Sequence, residues 1–399
     1  MSSQPASTAR IGSIDGLRAL AFLAVFAFHT WEFAGRPYVP VVSSVVRQNI
    51  RPDFFVVLTG FVLYLPFARD AGRLSSFDSR AYLKRRMRRI ILPYYAALAF
   101  AIMLPQTLVV LMGLLGKEAS WQSWPSFADL LTHATFTHLF FVDYWSGING
   151  SLWTMSLEMQ LYLLFPLLVV TIHRWGLRAL ALAVAGAIAF RIGVVVIVDG
   201  PTFPDQFVWA ASGMGRLMEF GAGMWAASLV FQARRELGRT GIAGLMSLII
   251  GSYLAATAGW SISEVLPVRE LALGVLFAAL VVLTLRTGFS RIVGAPPLCW
   301  IGFRAFSLFL IHQPVAWYLS EALKKFAGIE EGPVLLAILW TAGLGVVIAV
   351  GLALWVAVER PCIRWAKAVP QSRRADANRP TEVPVLPGAH ADLGGAQAR

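Results

Sequence analysis

Charge is scarce in this 399-residue chain, and cysteine is nearly absent. Asp, Glu, Lys and Arg make up 14% of the residues, against about 25% in an average soluble domain. That shortage excludes an ordinary solvated surface. Acidic groups are the scarcer sign, 22 against 34 Lys and Arg, giving a net charge of +12. No basic segment is interleaved with aromatics, so the excess does not form a nucleic-acid surface. Cys299 and Cys362 are the only cysteines. Two isolated thiols exclude a disulfide framework, and they have no metal-ligand spacing. Residues 1–30 lack the uncharged core and small-residue cleavage site of a signal peptide. They carry Asp15, Arg18 and His29 instead, so they are expected to be kept as a helix.

What is plentiful is apolar. Hydrophobic residues are 57% of the chain and the mean hydropathy is +0.65. Fourteen Trp and 26 Phe suit interfacial belts and lipid-facing surfaces. Ten segments have, or nearly have, the length to cross about 30 Å of hydrocarbon: 14–34, 52–69, 90–115, 152–172, 178–198, 212–232, 241–260, 268–286, 303–323 and 333–357. The fold class is therefore an all-α polytopic membrane protein with about ten transmembrane helices. Three regions follow: a cytoplasmic N-terminal segment 1–13, a membrane domain 14–367, and a disordered cytoplasmic tail 368–399 rich in Pro, Ala, Gly and Arg. No internal repeat and no appended soluble domain is evident. Lys and Arg concentrate in alternate links, above all between Arg69 and Arg89. By the positive-inside rule both termini are cytoplasmic, in a bacterial-type cell membrane. Arg36, Arg47, Arg51, Lys117, Lys324 and Lys325 are exceptions on the other side. The longest outer link, 116–151, is rich in Trp, Phe and His; Asp129–Phe141 has helical apolar spacing suited to the interface.

Against that background, ionisable groups inside apolar stretches stand out, because each costs free energy in hydrocarbon. Arg18 and His29 are eleven residues apart on the first segment. They share one helical face at a separation of roughly 16 Å, and Asp15 lies within pairing distance of Arg18 on that face. An imidazole of near-neutral pKa can take a proton from an alcohol, and Glu32 lies one turn beyond. Asp53 opens the second segment, where a carboxylate suits the positive end of a helix. Lys84, Arg85, Arg86, Arg88 and Arg89 lead into the third; they suit anionic lipid or a phosphate-bearing ligand. Thr154, Glu158 and Tyr162 repeat every fourth residue as a polar stripe. His312 precedes Pro314 in the ninth segment, and Glu359-Arg360-Pro361 closes the tenth.

The ordered set of motifs resembles the acyltransferase-3 family of integral membrane O-acyltransferases. It comprises Asp15-Gly-Leu-Arg18 with His29, Asp53-Phe-Phe-Val-Val-Leu-Thr59-Gly-Phe61, the Arg-rich run, and the Leu152-Trp to Tyr162 block. Ser307-Leu-x-x-x-His312-x-Pro314 and Glu359-Arg-Pro361 complete it. The resemblance covers about residues 11–367. It implies transfer of an acyl group, often acetyl, from acyl-CoA to a hydroxyl of a carbohydrate, lipid-linked glycan or macrolide-type natural product. Acyl-CoA would be a co-substrate, with no tightly bound cofactor and no metal. On the family pattern His29 is the expected catalytic base. Glu158 and Asp53 are expected at the catalytic centre, and Arg18, Arg85, Arg86, Arg88 and Arg89 as donor-binding or structural groups. Thr59 replaces the more usual Ser, and Met159 stands where a second Glu is frequent. The competing reading is a transporter or flippase, which would also bury ionisable residues.

Overall fold

The computed structural model describes residues 12–40, 42–46, 51–117, 123–198, 203–232, 237–262 and 267–369. Of the expected N-terminal segment and tail, residues 1–11 and 370–399 lie outside them. Ten helices dominate: α1 (Gly12–Phe33), α2 (Arg51–Arg69), α3 (Ser79–Leu114), α4 (Trp153–Trp175), α5 (Leu177–Ile197), α6 (Leu217–Gln232), α7 (Arg239–Ile262), α8 (Val268–Arg286), α9 (Pro296–Ala327) and α10 (Pro333–Lys367). No strand occurs among the described residues.

Nine of these helices are long and apolar enough to cross a membrane; α6 is the shorter one. Its expected first turn, 212–216, is not helical. Ser212, Gly213 and Gly215 hold a tight turn there, with the Gly213 amide donating to Gln160 Oε1 at 2.8 Å. That turn aims Arg216 into the bundle. Conversely, α3 begins eleven residues before its expected start. Asp78 caps it by accepting from the Ala81 amide, as a short acidic side chain does at a helix start. Its 36 residues extend about 54 Å, well beyond the hydrocarbon, so the Lys84–Arg89 turn is helical.

In lipid, helices associate by close packing of small residues rather than by excluding water. Here α2 packs on α6 and α1 on α9. A methyl group on Gly60 would strike the carbonyl oxygen of Phe220, and one on Gly223 that of Val57. Gly302 meets the Asp15 carbonyl in the same way. Backbone touches backbone at both crossings, which fixes the depth of α1 against α9. Two π-turns interrupt α10, at Leu339–Gly343 and Trp355–Glu359; such turns redirect side chains. The second carries Glu359 inward.

Candidate active site

A cavity of about 540 Å³ runs between α1, α2, α3, α4 and α9. Arg18, Arg86, Arg89, Glu158 and Tyr162 line one end. His29, Glu32, Arg36, Trp145, Ser151 and Gln313 line the other. Val25, Phe55, Phe306 and Phe309 form an apolar waist between them. Along α1 the step from Arg18 to Glu32 is about 21 Å, so the cavity spans much of a bilayer.

At the second end, His29 Nδ1 lies 3.3 Å from Glu32 Oε2. Beyond α1, Gly35 (φ 79) and Arg36 (φ 56) adopt the left-handed conformation and turn the chain back. The turn lets Arg36 donate to Glu32 Oε1 at 2.9 Å. A proton on Nδ1, beside this carboxylate, would put the lone pair of His29 on Nε2. Glu32 would then hold the tautomer and favour the imidazolium once formed, as the carboxylate does in a catalytic triad. His312 is fully buried, its ring centroid 5.4 Å from that of His29.

The loop before α4 is stapled to α9 beside these imidazoles. Pro314 has no N–H, so the Leu310 carbonyl loses its helical partner. Asn149 Nδ2 donates to that carbonyl at 3.2 Å, and Asn149 Oδ1 accepts from the Ser151 amide at 3.1 Å. Ser151 Oγ lies 2.7 Å from Gln313 Oε1 and 3.4 Å from His312 Nε2.

At the first end, Glu158 accepts from Tyr162 Oη at 2.7 Å and from Thr59 Oγ1 at 3.4 Å. Arg18 and Arg86 lie within electrostatic reach of it. The Arg86 guanidinium also sits over the Tyr162 ring at 5.5 Å. Glu359 Oε2 accepts from the Ser307 amide and hydroxyl, joining α9 to α10 next to Arg89 and Arg18. Arg18, Arg86 and Arg89 thus gather at this end beside Glu158 and Glu359, and guanidinium groups are chemically suited to anionic oxygens.

The acyltransferase-3 model, described as an acyltransferase domain, matches residues 11–358. The chain belongs to the acyltransferase-3 family. Acyltransferase MdmB of Streptomyces mycarofaciens is 26% identical over 394 residues, covering 90% of this chain and 93% of MdmB. Peptidoglycan O-acetyltransferase OatA of Listeria monocytogenes is 22% identical over 341 residues, 79% of this chain. O-acetyltransferase OatA of Staphylococcus aureus is 21% identical over 345 residues, 77% of this chain. The alignment covers 50% of the first OatA and 51% of the second, so this chain spans about half the length of each. No solved structure matches. Family membership makes the protein an O-acyltransferase and sets the transporter reading aside.

Within this acyltransferase-3 chain, Arg18, Arg86, Arg89, His29 and Glu158 converge on the cavity. Three other expected site residues do not line it. Arg88 donates to the Trp365 carbonyl at 3.2 Å and sits over the Trp365 ring, tying α3 to the end of α10. Arg85 has a buried Nη1 with no hydrogen-bond partner. Asp53 is buried against Arg216, whose Nη1 donates to Asp53 Oδ1 at 2.7 Å and to Glu219 Oε1 at 2.9 Å. Arg191 and Arg269 approach Glu270 at 3.3 and 3.7 Å, and Glu270 lies 3.8 Å from Arg216. Three cations and three carboxylates thus bind α2, α5, α6 and α8 together. The other five members lie outside the motif blocks, although each is an ionisable group in or beside an apolar segment.

The long link between α3 and α4 holds one more buried cluster. Its helix is shorter than the spacing suggests, Phe127–Ala134, because Phe136 turns left-handed (φ 58). That strain is offset by contact with the Tyr94 ring at 4.3 Å and a hydrogen bond from Ser156 to the Phe136 carbonyl. His133 and His138 stack face to face at 4.0 Å. Burial pushes His138 down to about 4, and a nearby charged His133 would push it further. Burial lowers His133 as well, although Asp129 opposes this, 2.9 Å from its Nδ1.

Proposed function

We propose that this O-acyltransferase takes its acyl group, acetyl in the simplest case, from acyl-CoA. The acceptor is a hydroxyl of a carbohydrate, a lipid-linked glycan or a macrolide-type natural product. The observation that carries this reading is one cavity joining a triple-arginine end to a His29–Glu32 end. Phosphates of CoA pair with Arg18, Arg86 and Arg89, for which bidentate guanidinium contacts are well suited. The pantetheine arm runs along the apolar waist and brings the acyl carbonyl to the level of His29. The acceptor hydroxyl enters at the opposite end, between His29 and Trp145. His29 takes its proton as the oxygen attacks the acyl carbon, a role typically worth about 10²–10⁴-fold in rate. Glu32 supports the imidazolium, which afterwards returns the proton to the leaving group. The relative named as a peptidoglycan O-acetyltransferase favours a glycan acceptor. The basic links favour a cell membrane in which both termini, and the arginine end, face the cytoplasm.

The test is transfer of radiolabelled acetyl from acetyl-CoA to added sugar alcohols by purified protein in liposomes. His29→Ala is expected to lower transfer by about 10²–10⁴-fold while acetyl-CoA still binds. Full activity of that variant, or no transfer by the unaltered protein, overturns the reading.

A further inference from the structure

Direct transfer needs one base at the acceptor end, yet two imidazoles stand there. His29 and His312 come from different helices and lie 5.4 Å apart. The second is set up for a particular proton. His312 Nδ1 is 2.6 Å from the Phe309 carbonyl oxygen, and a carbonyl only accepts, so Nδ1 carries the hydrogen. The lone pair is therefore on Nε2, which faces Ser151 Oγ at 3.4 Å. Ser151 is itself part of the cavity wall. Its hydroxyl can swing between Gln313 Oε1 at 2.7 Å and His312 Nε2 by rotating one bond. The serine is also held in place from behind: Asn149 fixes the Ser151 amide and anchors the loop at the Leu310 carbonyl that Pro314 leaves open. A hydroxyl on a rigid loop, an imidazole of fixed tautomer, and a substrate cavity make a nucleophile–base pair. Apo pairs of this kind are often looser than the working complex.

We propose that Ser151 is an acyl-carrying nucleophile, with His312 as its base, so that acyl transfer proceeds through a Ser151 ester. This rests on the acyl-CoA reading above. In the first half, Ser151 Oγ attacks the thioester carbonyl and its proton passes to His312 Nε2. The new C–O bond forms, the C–S bond breaks, and His312 gives the proton to the departing CoA thiolate. In the second half, the acceptor oxygen attacks the Ser151 ester as His29 takes its proton. The ester C–O bond breaks, and the proton returns to Ser151 Oγ. Each imidazole is charged only during its own half. That order avoids two adjacent cations, which so close a pair would disfavour.

The experiment uses the full chain in liposomes with radiolabelled acetyl-CoA and no acceptor. Label is expected on the protein, stable to denaturation, released by alkaline hydroxylamine, and mapped by mass spectrometry to the peptide containing Ser151. His29→Ala is expected to retain and accumulate this label, because only its second half is blocked. Ser151→Ala is expected to lose both label and transfer. Ser151→Cys is expected to regain label as a thioester, which a purely structural role for the hydroxyl would not produce. Initial rates against both substrates should give parallel reciprocal plots. Transfer by the unaltered protein with intersecting plots and no label on Ser151 overturns this proposal alone. No transfer and no CoA release overturns the acyl-CoA reading and this proposal with it.

Discussion

Glu32 contacts both His29 Nδ1 and the Arg36 guanidinium, so its charge serves the imidazole on one side and is fixed on the other. Glu32→Gln keeps the shape and removes the charge. We expect kcat to fall by about tenfold or more with little change in KM for acetyl-CoA, measured by the labelled-acetyl assay. Asp53 illustrates the opposite case, a carboxylate whose partners lie away from the cavity. Arg216 serves both Asp53 and Glu219, so Arg216→Met leaves two buried carboxylates without their cation. Removing one partner of a buried pair typically costs about 3–5 kcal/mol. The expected order of stability is unaltered protein, then Asp53→Asn, then Arg216→Met, read from unfolding in mixed detergent and SDS. Equal stability of all three would show that the cluster contributes nothing.

Single elements carry the site by their contacts with each other. α1 brings Arg18 and His29 to a fixed depth only because Gly302 on α9 lets the two backbones touch. Gly302→Leu must push the helices apart, and His29 with them away from His312. Transfer should fall more than tenfold in protein that still inserts and purifies, because small misplacements at a reacting centre are costly. The link between α3 and α4 is a second such element. His138 titrates near 4 in the fold against 6.5 in an unfolded chain. Between those values the unfolded segment binds a proton that the folded one does not, so folding of the link weakens as pH falls from 6.5 towards 4. Protection of amides in residues 127–152, taken relative to the intrinsic exchange rate at each pH, should therefore fall on acidification across that window. Asp129 faces the neighbouring His133 and is itself raised by burial, so His138→Asn isolates the His138 contribution. That replacement should flatten the dependence.

For the whole molecule, the charge distribution separates two ends of one cavity. The arginine end should bind its ligand electrostatically, with partial screening over a Debye length of about 10 Å at 0.1 M salt. KM for acetyl-CoA is expected to rise with ionic strength and on Arg86→Ala or Arg89→Ala, with kcat changed less. In oriented liposomes only acetyl-CoA on the arginine side should support transfer. Equal use from both sides would remove the assignment of that end to the donor.

Helices and motif residues were legible in the chain because hydrocarbon imposes length and punishes charge. A run of apolar residues must be a helix in a bilayer, and Arg18, His29 and Glu158 stand out against it. The ordered motif blocks likewise carry the family without any coordinates. What the chain could not display is which blocks meet. Asp53 reads locally as a helix cap, and only the bundle shows Arg216 beside it, 163 residues away. Ser151 and His312 are separated by 161 residues. Their meeting depends on Pro314 freeing the Leu310 carbonyl for Asn149 and on Gly302 admitting the backbone of α1. Hydropathy and spacing are properties of a local segment, so the chain alone specifies most of the spans and the candidate groups. Close packing and hydrogen-bond geometry join distant segments, so it is the folded bundle that puts Arg18 and His29 on one cavity and leaves Asp53 off it.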